Sequence, residues 1–405
     1  MSAAPRVPNS WVNACRGLLA LGVVTFVAAL LAGQAQRAWQ AYLLNFLFWT
    51  GIAQCGVIFS AAYAVTKGQW GDVFRRMGES LAFFLPVSLV LFLAMMLFGA
   101  GSIYPWTHQP YHGLEAWLNV PAVTLRDTFV FLVVFGLSLL YVYYSQRTAL
   151  HSAVKQGLVL RPRWLAGWIE GAGNPGDLAR SDGRARTIAP VLIIAFAVGF
   201  SLIGFDLIMT LQPHYANTLL GWYYYVGAFY AMLAVLAIAS ALFRKHWGLE
   251  RHIQADQSHD LGRLLFGICL LTGGLFWAQW LVFWYGNLPE EIGWVIRRFY
   301  EMPFAPFAWL ATYGAFIVPL VVLLSKALKR KPRALMGVAV WILVMLWLER
   351  YVWIVPAISR GPGAPLLIEL LVTAGFAGGF GWGWIAHNRR LPVAALSTLP
   401  PARHH

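Results

Sequence analysis

The chain has 405 residues, 59% hydrophobic, 15% aromatic and only 11% charged, with a formal net charge of +14. Apolar runs of about 20 residues, the length that crosses a bilayer as a helix, recur from end to end and exclude a soluble globular enzyme. The basic excess is scattered among loops and not gathered in one patch, which argues against nucleic acid as a partner. What these bounds leave is an all-α, polytopic membrane protein whose backbone groups are satisfied inside each helix.

Ten spans are predicted, at about 17–33, 42–66, 80–100, 121–145, 188–211, 217–243, 261–285, 303–325, 334–355 and 364–386. The first, flanked by Arg16, reads as a retained helix because no small-residue cleavage site with a soluble domain follows it. Segments that would share one side with both termini carry 24 Lys and Arg residues, against 6 on the other side. That alternation obeys the positive-inside rule and predicts cytoplasmic termini. The chain thus reads as one integral membrane domain over 1–405. Four spans lie within 17–145, a basic cytoplasmic loop follows at 146–187, six spans lie within 188–386, and 387–405 form a cytoplasmic tail. The loop holds Lys155, Arg161, Arg163, Arg180, Arg184 and Arg186 around the stretch GAGNPGD. It is expected to lie along anionic headgroups, part helix and part link.

Candidate chemistry starts with Asp206, a carboxylate placed inside the fifth span. A charge in hydrocarbon costs a few kcal/mol on insertion scales, at least about 2.5, so it is expected to face a bundle interior, a partner or water. His214 and Tyr215 follow at the end of that span, and Tyr223, Tyr224 and Tyr225 open the next. Together they could form a proton-conducting or quinone-facing cluster, although a capping or ion-paired Asp206 and a wet turn histidine are the plainer alternatives. Glu369 inside the tenth span, Asp127 beside Arg126 in the fourth, and Glu79 behind Arg75 and Arg76 are further proton-pathway candidates. Asp127 is a possible counter-charge to Arg350 or to another helix, whereas Glu349 and Arg350 read as a local salt bridge at an interface. Gln54 and Gln279 suggest interhelical hydrogen bonds or a lining for water.

Redox ligands are scarce in this pattern. The ten histidines fall at span ends or in loops, which leaves no in-span pair for haem b. His108 and His112 have metal-ligand spacing only on a helix, which Pro105 and Pro110 oppose. Cys15, Cys55 and Cys269 are isolated, so neither a disulfide framework nor a metal site is expected.

Three phrases, FWAQWLVFWYGNLPEEIGWVIRR, FDLIMTLQPHYANTLLGWYYYVGAF and GQWGDVFRRMGESLAFFLPV, resemble a family of membrane subunits. It is that of the F subunit of alternative complex III, a bacterial quinol:cytochrome c oxidoreductase, related to polysulfide-reductase-like (NrfD-like) membrane proteins. The resemblance covers about residues 40 to 355. It implies ten helices, with spans two to five and six to nine forming two four-helix bundles and the other helices peripheral. It further implies a bacterial cytoplasmic membrane and no cofactor in this chain. A quinone would lie nearby, with haem c and iron–sulfur clusters in partner subunits. Those partners would be a homologous quinol-binding membrane subunit, an iron–sulfur protein, c-type haem subunits, lipid and in some assemblies a terminal oxidase. Asp206 and His214 carry over from the family's FDLIM…PH pattern as residues of a proton half-channel. Asn287, Glu290, Glu291, Arg297 and Arg298, in the loop between spans seven and eight, become candidates for docking outer subunits.

The leading expectation is therefore a haem-free subunit of a respiratory quinol-oxidising complex that contributes proton conduction and scaffolding and is not catalytic alone. The rival is a free-standing secondary transporter or proton or ion channel, which the span-end positions of Pro86, Pro190 and Pro319 make less fitting. A structural scaffold with a filled quinol pocket is the third reading.

Overall fold

The computed structural model describes residues 7–68, 70–155, 175–212, 214–358 and 366–397. Among them every regular element is a helix. Ten are long and apolar enough to cross a membrane. In chain order these spans are Asn9–Leu31, Ala35–Val65, Asp72–Phe98, Val120–Lys155, Asp177–Leu211, Leu220–Leu242, Ala255–Gly286, Ala305–Val322, Pro332–Ile358 and Leu367–Arg390. They match the ten predicted runs one for one, and several helices continue past their apolar windows. The largest extensions flank the basic loop, where span 4 runs on to Lys155 and the next helix already starts at Pro175. Polar bonds join the two extensions: Arg147 donates to Ser181 Oγ at 3.1 Å and Thr148 to Asp182 at 2.9 Å. Arg161, Arg163 and the start of the GAGNPGD stretch lie outside the described residues.

Spans 2 to 5 pack together as one four-helix bundle and spans 6 to 9 as a second; the two meet along spans 2, 5, 6 and 9. Spans 1 and 10 form a close pair laid against span 2. Span 2 is the axis of the molecule, because the whole of its apolar window is buried. A helix surrounded by other helices has no lipid-facing stripe, which is why its sequence is apolar nearly all round. The peripheral pair relies on small residues: a Cβ on Gly375 would sit 2.6 Å from the Gly22 Cα, so only glycine lets these backbones touch.

Two prolines interrupt helices and their neighbours repair the damage. Pro319 has no N–H to offer the carbonyl of Ala315 four residues back, and span 8 breaks at Phe316. That carbonyl accepts instead from Tyr230 Oη at 3.3 Å and Cys269 Sγ at 3.9 Å. Pro356 in span 9 likewise frees the carbonyl of Val352, which accepts Arg298 Nε at 3.0 Å. Arg298 belongs to an amphipathic helix, Pro289–Phe299, that lies across the bundle between spans 7 and 8. Proline at its start and the left-handed Asn287 just before it turn the chain out of span 7.

Connections gather at two opposite ends. At one, Trp117 reaches Asp206, Tyr111 meets His214, and Arg298 bonds Gln212. At the other, Arg330 pairs with Asp256, Trp247 packs on Trp384, and Arg389 bonds the Val7 carbonyl. They are called below the Trp117 end and the Arg330 end.

Candidate functional site

The buried face of span 4 organises the first bundle. It reads Asp127, Phe131, Phe135, Ser138, Tyr141 and Ser145, successive inward positions at helical spacing. A carboxylate thus stands toward one end, hydroxyls lead toward the other, and phenylalanines occupy the middle. From Asp127 to Ser138 the helix rises about 16 Å, at about 1.5 Å per residue. That interval is filled by an aromatic layer in which Phe131 meets Phe92 at 5.1 Å, Phe135 at 5.0 Å, Phe46 at 6.1 Å and Phe200 at 6.3 Å.

At the Trp117 end, Asp206 of span 5 is 1% exposed. Its Oδ2 accepts Arg126 Nε at 2.7 Å and its Oδ1 accepts Trp117 Nε1 at 3.3 Å. The Arg126 guanidinium also lies 3.8 Å from the centre of the Trp117 ring. Asp127, the next residue on span 4, lies on the helix's buried inner face. It is fully buried, and no donor reaches either of its oxygens. Its neighbouring acid is Asp206, and not Arg350, which pairs elsewhere. The expected Asp127 counter-charge to Arg350 is therefore replaced by a carboxyl–carboxyl pair. Tyr104 closes the site, its hydroxyl donating to the Leu207 carbonyl at 3.3 Å. Burial, reinforced by the two aspartates, raises the Tyr104 phenol well above its ordinary range, so it stays neutral beside them.

Toward the Arg330 end, Glu79 is also sealed, 1% exposed, but fully partnered. Ser60 and Ser145 each donate to its Oε1 at 2.6 Å, Arg76 donates to Oε2 at 2.9 Å, and Arg75 stands 3.7 Å away. Tyr141 bonds Ser60 at 2.9 Å. Further in, Gln54 and Ser138 exchange bonds of 2.8 and 3.2 Å, and Thr50 donates to Ser88 at 3.0 Å. Gln54 thus takes the interhelical hydrogen-bonding role.

The remaining candidates separate. Glu369 is held by Arg37 through bonds of 3.0 to 3.3 Å and by Gln40, tying span 10 to span 2. Glu349 and Arg350 do form the expected local salt bridge, and it is buried between spans 6 and 9. Glu349 accepts the Tyr223 hydroxyl and Arg350 Nη1 at 3.1 Å, while Arg350 Nη2 donates to the Tyr224 carbonyl. Beside them a cavity of about 40 Å³ is lined by Glu349, Tyr223 and Gln279 among aromatic rings. It is too small for a quinone ring, since a benzene-sized guest occupies an engineered cavity of about 150 Å³.

The expected grouping of Asp206 with His214 and the tyrosines does not form. His214 is exposed and packs edge-on against Tyr111. Tyr215 stacks on Trp294 at 4.7 Å and bonds Asn217, placing it against the second bundle. Tyr223 serves Glu349, Tyr224 donates to the Leu47 carbonyl, and Tyr225 packs on Phe196. His108 and His112 do not converge either, for one bonds the Gly101 carbonyl and the other meets Glu115.

Of the docking candidates, Asn287 is exposed and Glu291 and Arg297 are half-buried; the Glu290 side chain lies outside the described residues. Arg298 is no surface residue. It is 0% exposed, its Nη2 donates to the Trp353 carbonyl at 2.8 Å, and its plane lies 4.1 Å from the Trp294 ring. Burial lowers its pKa to about 9, which leaves it cationic at neutral pH. Sequence reasoning missed Trp117 as a partner of Asp206 and Tyr104 as the phenol that closes the site; both lie in the connection after span 3, where no local pattern marks them.

No protein-family model matches this chain, and no curated protein matches it.

Proposed function

We propose that the chain is a haem-free integral subunit of a respiratory quinol-oxidising complex of the alternative complex III type. In this reading it conducts protons and braces the assembly while partner subunits carry electrons through iron–sulfur clusters and haem c. The observation that carries it is the layout of the first bundle. Buried ionisable groups stand toward both ends, hydroxyl and amide side chains lead inward from Glu79, and an aromatic layer separates them from the Asp127 and Asp206 pair. A continuous polar file would leak protons, whereas two polar half-paths divided by a dry layer pass them only when coupled to another event. Intramembrane acids of this kind mark proton or ion pathways.

The Pro289–Phe299 helix and the exposed Trp284, Tyr285 and Tyr300 around it form the face offered to outer subunits or headgroups. Cytoplasmic termini in a bacterial inner membrane complete the proposal. Its test is isolation of the native assembly under mild detergent with a tag on this chain. Co-purification of a homologous membrane subunit, an iron–sulfur protein and c-type haem is the expected result. A chain that purifies alone and catalyses solute or ion flux by itself would favour a transporter.

A further inference from the structure

We infer that Asp127 and Asp206 form a proton-binding site in which the two carboxyl groups share one proton, carried on Asp127. The inference deepens the proton-conducting role and rests on that reading for its function; the site itself is argued from burial and from the partners each carboxyl has or lacks. Asp206 already has its cation, Arg126 Nε at 2.7 Å, and a neutral donor, Trp117 Nε1 at 3.3 Å. Asp127 has neither, although it is 0% exposed. A bare carboxylate in such surroundings would carry the full penalty of a buried unpaired charge.

The groups facing it from every packed element are few. Span 5 contributes the Asp206 carboxylate, and the segment after span 3 contributes Tyr104, whose proton goes to the Leu207 carbonyl. Its own helix contributes Arg126, whose Nε donates to Asp206 and whose guanidinium lies over the Trp117 ring, while its buried Nη2 has no hydrogen-bond partner and makes no bond to Asp127. Two ionised acids and one arginine leave one negative charge uncompensated. One proton between the carboxyls removes that charge and supplies the missing bond. Asp127 then donates and Asp206 accepts. A sodium ion would satisfy the same charge balance, but it needs about five or six oxygens around it, and none beyond the pair is shown to converge here.

The experiment is infrared spectroscopy of the purified native assembly at neutral pH, with this chain carrying aspartate labelled with ¹³C at its side-chain carboxyl. The expected result is a protonated-carboxyl carbonyl band that shifts with the label in the wild type and is lost in Asp127→Asn. The wild-type label shift needs no variant, so a misfolded Asp127→Asn leaves the test intact. A wild-type spectrum without a label-shifted protonated band would overturn the inference, as would a band that sodium chloride abolishes. Failure of the proton-conducting role is read separately, from turnover-coupled proton release. A static shared proton with unaltered translocation would leave the site standing and remove its transport role.

Discussion

Arg298 shows how a residue can be misplaced by its neighbours in sequence. Beside Arg297 in a polar connection it looks like a surface charge, yet it is drawn inside by carbonyl oxygens, one of which exists as an orphan only because Pro356 lies four residues further on. The expectation is specific. Arg298→Met leaves the Val352 carbonyl unpaired and lowers stability by about 2 kcal/mol, within the usual penalty for a buried unsatisfied group. Pro356→Ala restores a backbone N–H to that carbonyl, so the double variant loses less than the sum of the single ones. Thermal unfolding of the four chains in detergent measures the coupling; strictly additive losses would refute it. Asp206, by contrast, was legible in the sequence, because a carboxylate inside an apolar run needs a reason wherever the helix turns. Its partners were not: Arg126 and Trp117 come from other elements, and nothing local announces which of them will meet it.

At the scale of elements, hydropathy reveals what hydrocarbon demands. Each of the ten spans shows as an apolar window, because the bilayer penalises every polar residue there. Helices outside that solvent give no such signal. The Pro289–Phe299 helix is amphipathic and reads as loop, and the extension to Lys155 and the start at Pro175 fall in a segment expected to be part helix without bounds for the helical part. Span 4 carries the most functional weight, since its inward face sets carboxylate, aromatic layer and hydroxyls in order. Phe131→Ser should wet the layer and raise passive proton leak through reconstituted vesicles severalfold, with Leu125→Ser on the exposed face as a control that leaves leak unchanged. A pH-sensitive dye inside the vesicles reads both. The peripheral pair depends on backbone contact in the same direct way. Gly375→Leu places a branched side chain where Gly22 leaves room for none. Overpacking there should lower stability by about 1–3 kcal/mol, and a Tm equal to that of the wild type would contradict the close approach of spans 1 and 10.

The whole molecule is an asymmetric pairing of two bundles. The first places acids toward both ends with an aromatic layer between. In the second, the buried Glu349 is matched with Arg350, Tyr223 and the edge of a water-sized cavity. Span 2, buried along its whole apolar window, joins them, so a shift in either bundle is felt at the residues that face it, among them Gln54 and Ser60. In the proposed complex, that continuity would let proton movement couple to chemistry in a neighbouring subunit. The most direct measurement of the central claim uses the native complex in sealed vesicles, comparing Asp206→Asn with wild type for protons moved per quinol oxidised. Proton release falling well below the wild-type ratio while quinol is still oxidised is the predicted result; an unchanged ratio at unchanged turnover would contradict it.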